Sequence, residues 1–471
     1  MNGAFESAYL LQKCSIMSKS YLRLTAFIVL ALLAFSGSSS AQMSDYFADN
    51  AFGNPISTMQ HPSGEYYKGV TYLAYQGPLE DPYVCAYDHM TGKWMGPIKA
   101  GISLMGKIVD GKPPKKIDNH GKPALVIDSQ GYIHLMFGGH GGFYSLGKNL
   151  YGRPGRGRQT HVVSRKPEDI SEWEVLDNVS PFGTYNQFVK MDNGDIYLFY
   201  RHGSHRSDWV YQKSTDDCQT FEAEVPILKH KAREENSNVH DTWYAWLTKG
   251  QGNTIIATYN YHPCSVTGHT KARHNGYYML MDCENGSWWN AAGEKLTIPV
   301  TKEDADKKTL VYDSGEEQSR RGTCLMDEEG NPHVTLKLRS PSRVNYYRWT
   351  GDHWLGPVNV TGLSQSQDGD LLCESPDVIR ILFNAKDNGV GEVAWWETSN
   401  GGLTWKKGES LIQRPGNGFT ISAMIRNAHP DARIMATESR GVGNGQFKKI
   451  FLLGDHGPVK RAEKEIYNPG D

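Results

Sequence analysis

The chain has 471 residues, of which 38% are hydrophobic and 11% aromatic, enough to form a substantial core. Its 50 glycines and 25 tyrosines are typical of a protein made of strands and turns rather than helices. The formal net charge of -2 provides no broad positive field, so a nucleic acid is not an expected partner. If the ligand is an anion, the positive charge that binds it must be local, in a cleft rather than over the whole surface.

The first 41 residues have the features of a targeting segment. An apolar run, LTAFIVLALLAF, begins at Leu24, follows Lys19 and Arg23, and ends in SGSSSAQ. This arrangement is typical of a secretory signal peptide, here with cleavage after Ala41. The run is short for a bilayer, which makes a membrane anchor the weaker alternative. We expect a secreted protein, extracellular or periplasmic, that has no membrane contact in its mature form.

A repeated pattern occupies the remaining region, residues 42–471. A polar residue, a turn glycine and an alternating strand recur roughly every 60 residues, with one longer interval, as in four-stranded propeller blades. The pattern begins at Asp128, Asp192, Lys249, Asp327 and Asp387. Strand clusters near Gly69 and Ala432 flank it, which gives about seven units. We predict an all-β, seven-bladed β-propeller that forms a single domain over residues 42–471, with paired β-sandwiches as the alternative.

Two short segments support a propeller. STDDCQTF, at 214–221, and TSNGGLTW, at 398–405, approximate the Asp-box pattern of propeller hairpins, S/T-x-D/N-x-G-x-T-aromatic. In such a turn the Asp or Asn side chain caps the backbone, and the aromatic ring packs between strands. The first segment has Cys218 where glycine is usual. We predict a hairpin turn at each segment.

Histidines, tyrosines and arginines gather at predicted strand ends in three consecutive repeats. The segment FGGHGG places His140 after a strand, between glycines that leave room for a ligand. The other candidates are His161, which begins the next strand, and Tyr185, Arg201, His202, His205, Arg206, His240 and Tyr244. Any one of them alone is more often a structural residue. Because loops from several blades meet at one end of a propeller, the cluster predicts a functional site.

These residue types suit β-elimination beside a uronate. The proton at C5 becomes acidic when an arginine binds the neighbouring carboxylate and stabilises the enolate-like intermediate. A histidine or tyrosine removes that proton, and the other donates one to the leaving glycosidic oxygen. A glycoside hydrolase would need two carboxylates. The acidic residues here lie mostly in turns and polar runs such as TKEDADKK.

A second group of histidines and cysteines predicts a metal site. Its members are His262, Cys264, His269, His274 and Cys283. Thiolates and imidazoles together favour zinc, and four protein ligands would close the site and make it structural. The ligands that we predict are His262, Cys264, His274 and Cys283. A disulfide between Cys264 and Cys283 is the alternative, and His205 replaces one histidine if the site bridges two blades.

At this point the sequence resembles a known family. GGHGG, TYNQF, YRHGSHRSDW, DTWYAW and SWWNAAGEKLTIPV are similar to segments of the BNR-repeat propellers that include the ulvan lyases of polysaccharide lyase families 24 and 25. The similarity covers nearly all of the mature chain, and the spacing of Tyr185 and Arg201 is closest to family 25. The resemblance implies a seven-bladed propeller with bound zinc that cleaves a sulfated rhamnose–uronate polymer.

The resemblance also implies roles for individual residues. His140 matches the catalytic histidine, Tyr185 the catalytic tyrosine, and Arg201 the arginine that neutralises the uronate. His161, Tyr244 and Gly139 fall at substrate contacts. The resemblance leaves open whether His140 is the base and Tyr185 the acid, or whether Tyr185 does both.

Two other function classes fit parts of the pattern. A sialidase-like propeller hydrolase also uses a tyrosine and arginines for an anionic sugar, and a non-catalytic propeller would only bind sugar. The product distinguishes them, because a lyase leaves an unsaturated uronate that absorbs ultraviolet light. The sequence does not fix the oligomeric state, and a monomer is our expectation.

Overall fold

A computed structural model describes residues 42–109, 111–112, 117–268, 270, 272–363, 366–440 and 447–466, without the side chains of 366–368. The predicted signal peptide lies outside these ranges. Contacts divide the chain into two units, and the larger contains Ser44–Arg461. Within the described ranges, no helix is both long and apolar enough to span a bilayer.

The chain is built almost entirely of strands, which begin with β1 (Met43–Ser44) and β2 (Ala48–Phe52). Blade 1 contains β3 (Gly64–Tyr67), β4 (Val70–Gln76), β5 (Pro82–Asp88) and β6 (Lys93–Lys99). Blade 2 contains β7 (Ala124–Ile127), β8 (Ile133–His140), β9 (Arg156–Ser164) and β10 (Trp173–Leu176). Blade 3 contains β11 (Thr184–Lys190), β12 (Ile196–Arg201), β13 (Trp209–Ser214) and β14 (Val225–Leu228).

Blade 4 is the largest sheet and is accompanied by one short helix. Its strands are β15 (Lys231–Ala232), β16 (His240–Lys249), β17 (Thr254–His262), β18 (His274–Asp282), β19 (Ser287–Trp289), β20 (Lys295–Leu296) and β21 (Leu310–Tyr312), the last paired with β18. The helix α1 (Lys302–Lys308) precedes β21. Its N-cap is Thr301, whose hydroxyl accepts a hydrogen bond from the amide of Asp304, and acidic residues fill its first turn.

Blades 5 and 6 return to four strands each. Blade 5 contains β22 (Ser319–Met326), β23 (Pro332–Arg339), β24 (Ser342–Trp349) and β25 (Trp354–Asn359). Blade 6 contains β26 (Ser366–Cys373), β27 (Ile379–Asp387), β28 (Val390–Thr398) and β29 (Lys406–Pro415). The last strands are β30 (Phe419–Met424), β31 (Ile434–Glu438), β32 (Phe447–Gly454), β33 (Gly457–Pro458) and β34 (Arg461–Ala462).

The predicted all-β propeller is confirmed. Six blades consist of strands that are consecutive in the chain. Where the sequence predicts a seventh blade, the sheet is composite, because the early strand β2 pairs with β32 beside β31 and β30. This pairing joins the two ends of the blade series and covers an edge that would otherwise be open.

The core lies between neighbouring sheets. In one cluster Tyr72 and Val84 of blade 1 pack against Leu125 and Leu135 of blade 2. The strand β12 reads IYLFYR, and all of its residues are buried because both of its faces are covered. A strand of this kind does not alternate between apolar and polar residues, which explains the long apolar runs in the sequence.

Both predicted Asp-box turns are confirmed. Oδ1 of Asp216 accepts a hydrogen bond from the amide of Thr220 at 2.9 Å, and Oδ1 of Asn400 accepts one from the amide of Thr404 at 3.0 Å. Cys218 has a φ of 61°, the left-handed conformation that explains why glycine is usual at this position.

Candidate active site

Three blades contribute equivalent strand ends to one region of the surface. His140, Arg201 and His262 are the last residues of β8, β12 and β17, the second major strand of blades 2, 3 and 4. In each blade a loop leads from this strand end to the next strand. The three strand ends and their loops therefore lie at the same end of the blades. The site consists of two neighbouring clusters, one of imidazoles and one of phenols.

The imidazole cluster is organised around the buried carboxylate of Asp118. Nδ1 of His140 lies 2.8 Å from Oδ2 of Asp118, and Nδ1 of His120 contacts Oδ1. The guanidinium of Arg156 donates to the same carboxylate, with Nε at 2.6 Å. The rings of His120 and His140 stack, with centroids 3.8 Å apart. Asp118 therefore fixes the orientation of both imidazoles.

The charges of this cluster are balanced. Burial alone would raise the pKa of Asp118, but hydrogen bonds from His120 and His140 hold it well below its usual value. Burial lowers the pKa of His120 to about 4, against the opposing effect of Asp118, so its ring is neutral at pH 7. The pair of Asp118 and Arg156 is then close to neutral as a whole.

The phenol cluster consists of Tyr185 and Tyr244 with two arginines. The two hydroxyls are hydrogen-bonded to each other, and the ring centroids lie 5.5 Å apart. The guanidinium carbon of Arg201 lies 5.0 Å from the Tyr185 ring centroid, and that of Arg273 lies 3.7 Å from the Tyr244 ring centroid. Tyr185 also contacts His120, at 5.3 Å between centroids, which joins the two clusters.

The arginines change the acidity of the phenols. Burial alone would raise the pKa of Tyr244, but the guanidiniums of Arg273 and Arg201 lower it to about 8. Burial and the neighbouring phenol raise the pKa of Tyr185. The tyrosine pair therefore loses its first proton more easily than an isolated tyrosine, because two cations stabilise the phenolate.

Arg201 and Tyr185 show further unusual features. The side chain of Arg201 is 1% exposed, and its Nε and Nη1 have no hydrogen-bond partner among the described residues. Tyr185 has a φ of 65°, beside an irregularity in the pairing of β11 with β12. A buried cation without a carboxylate and a strained backbone are both costly, and features of this kind cluster at functional sites.

A cleft of about 690 Å³ opens beside the imidazole cluster. His140, Asp118, Arg156, Lys107, Lys112 and Tyr144 are among its lining residues. Three of these are lysine or arginine; Lys107 is paired with Asp81 at 3.0 Å and Arg156 with Asp118, which leaves Lys112 as a cation without a carboxylate partner among the described residues. The cleft therefore suits an anionic ligand.

Two predicted substrate contacts are not brought to this cleft. His161 is fully buried in the middle of β9, between His134 and Asn178, and burial lowers its pKa to about 3. The strand begins at Arg156, five residues before the predicted start, which places His161 inside the blade. Gly139 is also buried, and a Cβ there would lie 2.2 Å from the carbonyl oxygen of Gly183. Its small size allows the strand that carries His140 to pack.

The predicted metal ligands are brought together only in part. His262 and Cys264 join His205, with one potential ligand atom of each residue within 4.8 Å of the others. Nε2 of His205 lies 2.9 Å from Sγ of Cys264, and the amide of Cys264 donates to Asp241 at 2.7 Å. Two imidazoles and a thiol are a donor set that fits zinc.

His274 and Cys283 do not belong to this group. His274 is the first residue of the nine-residue strand β18 and Cys283 follows its last residue, so they lie about 30 Å apart along the chain direction. Nδ1 of His274 is hydrogen-bonded to the carbonyl oxygen of Gly315, and Cys283 lies beside Tyr197. The alternative disulfide is absent as well, since Cys264 and Cys283 are both free. The other candidate, His269, lies outside the described residues.

The sequence reasoning missed Asp118, His120 and Arg273. Asp118 and His120 lie in the loop before β7, and Arg273 lies directly before β18. None of them occurs within the repeated strand pattern. The acidic and basic residues of the segment DNHGKP were a possible signal, but nothing in the local sequence indicates that this loop reaches His140.

Comparison with known proteins identifies the family. Residues 72–357 match the model of the BNR repeat-containing family. An ulvan lyase of Nonlabens ulvanivorans is 50% identical over 437 residues, which cover 89% of this chain and 91% of that protein. This chain belongs to the ulvan lyase family. The ulvan lyase of Alteromonas sp. (strain LOR) is 45% identical over 91% of this chain and 90% of its own length.

A solved ulvan lyase has the same fold. The structure of an ulvan lyase of polysaccharide lyase family 25, described as bound to -[GlcA(1-4)Rha3S]-, matches with a TM-score of 0.84 and 42% identity. The match covers 90% of this chain and 98% of that one. The resemblance seen in the sequence is therefore confirmed, and the protein is a polysaccharide lyase of propeller fold.

Proposed function

We propose that this protein cleaves ulvan by β-elimination at a uronate, which leaves a 4,5-unsaturated uronate at the new chain end. The observation that carries the proposal is the tyrosine pair with two guanidiniums, next to an imidazole cluster whose His140 lines a cleft together with Arg156 and Lys112. Membership of the ulvan lyase family supports the substrate, since one relative is described as bound to a glucuronate and sulfated rhamnose repeat.

The uronate carboxylate binds in the cleft at His140 and Arg156. Because Nδ1 of His140 is bound to Asp118, its Nε2 is available to the ligand. Hydrogen bonds from these cationic or polar groups withdraw charge from the carboxylate and make the C5 proton more acidic. Arg201 is too deeply buried for this contact and acts through the phenols instead. This role differs from the carboxylate binding that the sequence predicts.

Tyr185 transfers the proton. Tyr244, the more acidic phenol, ionises first and accepts the hydroxyl proton of Tyr185 across their hydrogen bond, and the Tyr185 phenolate formed in this way removes the proton from C5. The bond from C4 to the leaving oxygen then breaks, a double bond forms between C4 and C5, and Tyr185 returns the proton to that oxygen. Tyr244, Arg201 and Arg273 stabilise the phenolate throughout the cycle.

We also propose a structural zinc at His205, His262 and Cys264. Such an ion would hold the loop between Cys264 and His274, which carries Arg273. It would also fix the ring of His262, which lies 5.6 Å from that of Tyr244 between centroids. The ion takes no part in proton transfer. Secretion through the N-terminal segment and a monomeric state are further expectations of this proposal.

The test measures the ultraviolet absorbance of unsaturated uronate while the purified protein digests ulvan. We expect a rise with the wild type, none with Tyr185→Phe, and a wild-type rise with the control Tyr132→Phe, which lies in a turn away from the cleft. His140→Gln keeps a hydrogen-bond donor and should retain measurable turnover. A loss in His140→Gln as complete as in Tyr185→Phe would identify His140 as the base. New reducing ends without absorbance would instead indicate a hydrolase.

A further inference from the structure

A second cleft, with a volume of about 370 Å³, lies near the 690 Å³ cleft that His140 lines, which is called the catalytic cleft below. Its lining is basic and aromatic, and includes Arg153, Arg206, Lys229, His230, His240 and Tyr151. None of the described lining residues is acidic. Three permanent cations and two imidazoles thus face one cavity, which is an arrangement that attracts anions.

The positive charge of this cleft comes mainly from the two arginines. Lys229 is paired with the buried carboxylate of Asp208 at 3.0 Å, and His230 contacts the same carboxylate. By contrast, no carboxylate pairs with Arg153 or Arg206 among the residues that the structure describes. Asp208 therefore balances Lys229, while the two guanidiniums remain available to a ligand. A guanidinium can bind an oxyanion through two parallel hydrogen bonds.

Direct contacts connect the two clefts. Nε of Arg153 donates to the hydroxyl of Tyr144 at 3.0 Å, and the carbonyl oxygen of Arg153 accepts from the amide of Ser204 at 2.8 Å. Tyr144 and Ser204 both line the catalytic cleft. A bound sugar chain can therefore pass from His140 along this shared wall to Arg153 and Arg206.

The shared wall is held in place by close packing. A Cβ on Gly152 would lie 2.1 Å from Oγ of Ser207, so the two segments are in contact at the backbone. The hydroxyl of Tyr151 donates to the carbonyl oxygen of Glu224 at 3.2 Å, which fixes its ring as a flat surface. A site that is ordered before binding loses less entropy when the ligand arrives.

We propose that this second cleft is an anion subsite, where Arg153 and Arg206 bind an oxyanion of the polysaccharide away from the bond that is cleaved. The ligand is a sulfate ester or a uronate carboxylate of the same chain, with its sugar ring against Tyr151. The inference rests on the proposed function for the identity of the polymer, but the cleft is separate from the residues that transfer the proton.

The experiment measures equilibrium binding in a Tyr185→Phe background, so that the polymer is not consumed. The probes are ulvan, chemically desulfated ulvan and carboxyl-reduced ulvan. Arg153→Gln combined with Arg206→Gln should weaken the binding of ulvan about tenfold or more, since each lost bond to a charged group has a measurable effect. The control is Arg158→Gln combined with Arg165→Gln, which removes two surface arginines that line neither cleft.

The three probes distinguish the two oxyanions. If the weakening disappears with desulfated ulvan, the ligand is the sulfate ester; if it disappears with carboxyl-reduced ulvan, the ligand is the carboxylate. Added salt should reduce the difference between parent and variant. Equal binding of all three polymers by parent and variant, at an unchanged thermal midpoint, would overturn the inference. Failure of wild-type protein to cleave ulvan would overturn the proposed function alone, because the binding comparison does not depend on turnover.

Discussion

The two clusters of the active site differ in charge and in exposure. The imidazole cluster lies on the cleft and is balanced, because Asp118 accepts from His120, His140 and Arg156. The phenol cluster is buried and holds two guanidiniums with no carboxylate among the residues that contact the phenols. The first cluster is suited to positioning a ligand, and the second to stabilising a new negative charge. In the proposed mechanism this division separates binding from proton transfer.

The largest effect is expected from Tyr185, the phenol that we propose as the proton-transfer group. Tyr185→Phe should lower kcat by about 10²–10⁴-fold, the usual contribution of a positioned general acid or base. KM should change little, since the ring still packs between Trp209 and His120. Steady-state kinetics on ulvan measure both constants. A large rise in KM with kcat preserved would assign Tyr185 to binding.

Arg201→Gln tests the buried cation. The loss of one preorganised charge should reduce transition-state stabilisation by about 3–4 kcal/mol. The pH at which activity rises should move upward, because the pKa of the tyrosine pair increases without this guanidinium.

Arg201→Gln should lower the activity without lowering the thermal stability. Since Nε and Nη1 of Arg201 have no described partner, their removal relieves a desolvation cost. We expect an equal or higher thermal midpoint, measured by calorimetry. A lower midpoint together with an unshifted pH profile would mean that Arg201 is structural.

Asp118→Asn is expected to have a smaller effect. The amide keeps the shape but no longer accepts from both imidazoles, so His120 and His140 lose their fixed tautomer. Loss of an orienting carboxylate of this kind typically costs about 10–100-fold. The expected loss is in kcat/KM, and Asp177→Asn is a suitable control because Asp177 is exposed and pairs with exposed Arg158. Full activity in Asp118→Asn would show that activity does not depend on Asp118 orienting the two imidazoles.

The sequence predicts the site residues that lie on strands better than those that lie on loops. His140, Tyr185, Arg201 and Tyr244 lie on strands whose repeat fixes their position, and the structure gathers the last three in one cluster. Asp118 and His120 come from a loop, and no periodicity constrains where a loop goes. His161 was misplaced because its strand begins five residues earlier than its pattern indicates.

The proposed metal site shows the same limit. Closeness in sequence suggested Cys283, but an extended strand carries it about 30 Å from His274. His205 is distant in sequence and comes from the neighbouring blade, so the sequence offers it only as a replacement ligand. Composition therefore suggests a type of metal, while the sheet pairing decides which of the candidate ligands meet.

Cys264→Ser and chelation test the structural zinc. We expect a thermal midpoint several degrees lower, with a smaller loss of activity, because the proposed ion would support the loop that carries Arg273. Metal content measured by mass spectrometry should fall in Cys264→Ser and remain in the control Cys373→Ser. Loss of all activity at an unchanged midpoint would instead indicate a catalytic metal.

The smallest effect is the dependence of stability on pH that arises from buried histidines. Burial lowers the pKa of His61 to about 4 and that of His161 to about 3, whereas the unfolded chain binds these protons near the ordinary value of 6.5. The unfolded state therefore gains protons first as the pH falls, so the free energy of unfolding decreases below pH 6.5. The slope is at most about 1.4 kcal/mol per pH unit for each histidine.

Denaturant titrations at pH 7 and pH 5 should show this loss of stability. His161→Gln should reduce the loss, while the exposed control His353→Gln should not. An unchanged slope in His161→Gln would mean that His161 is protonated within the fold.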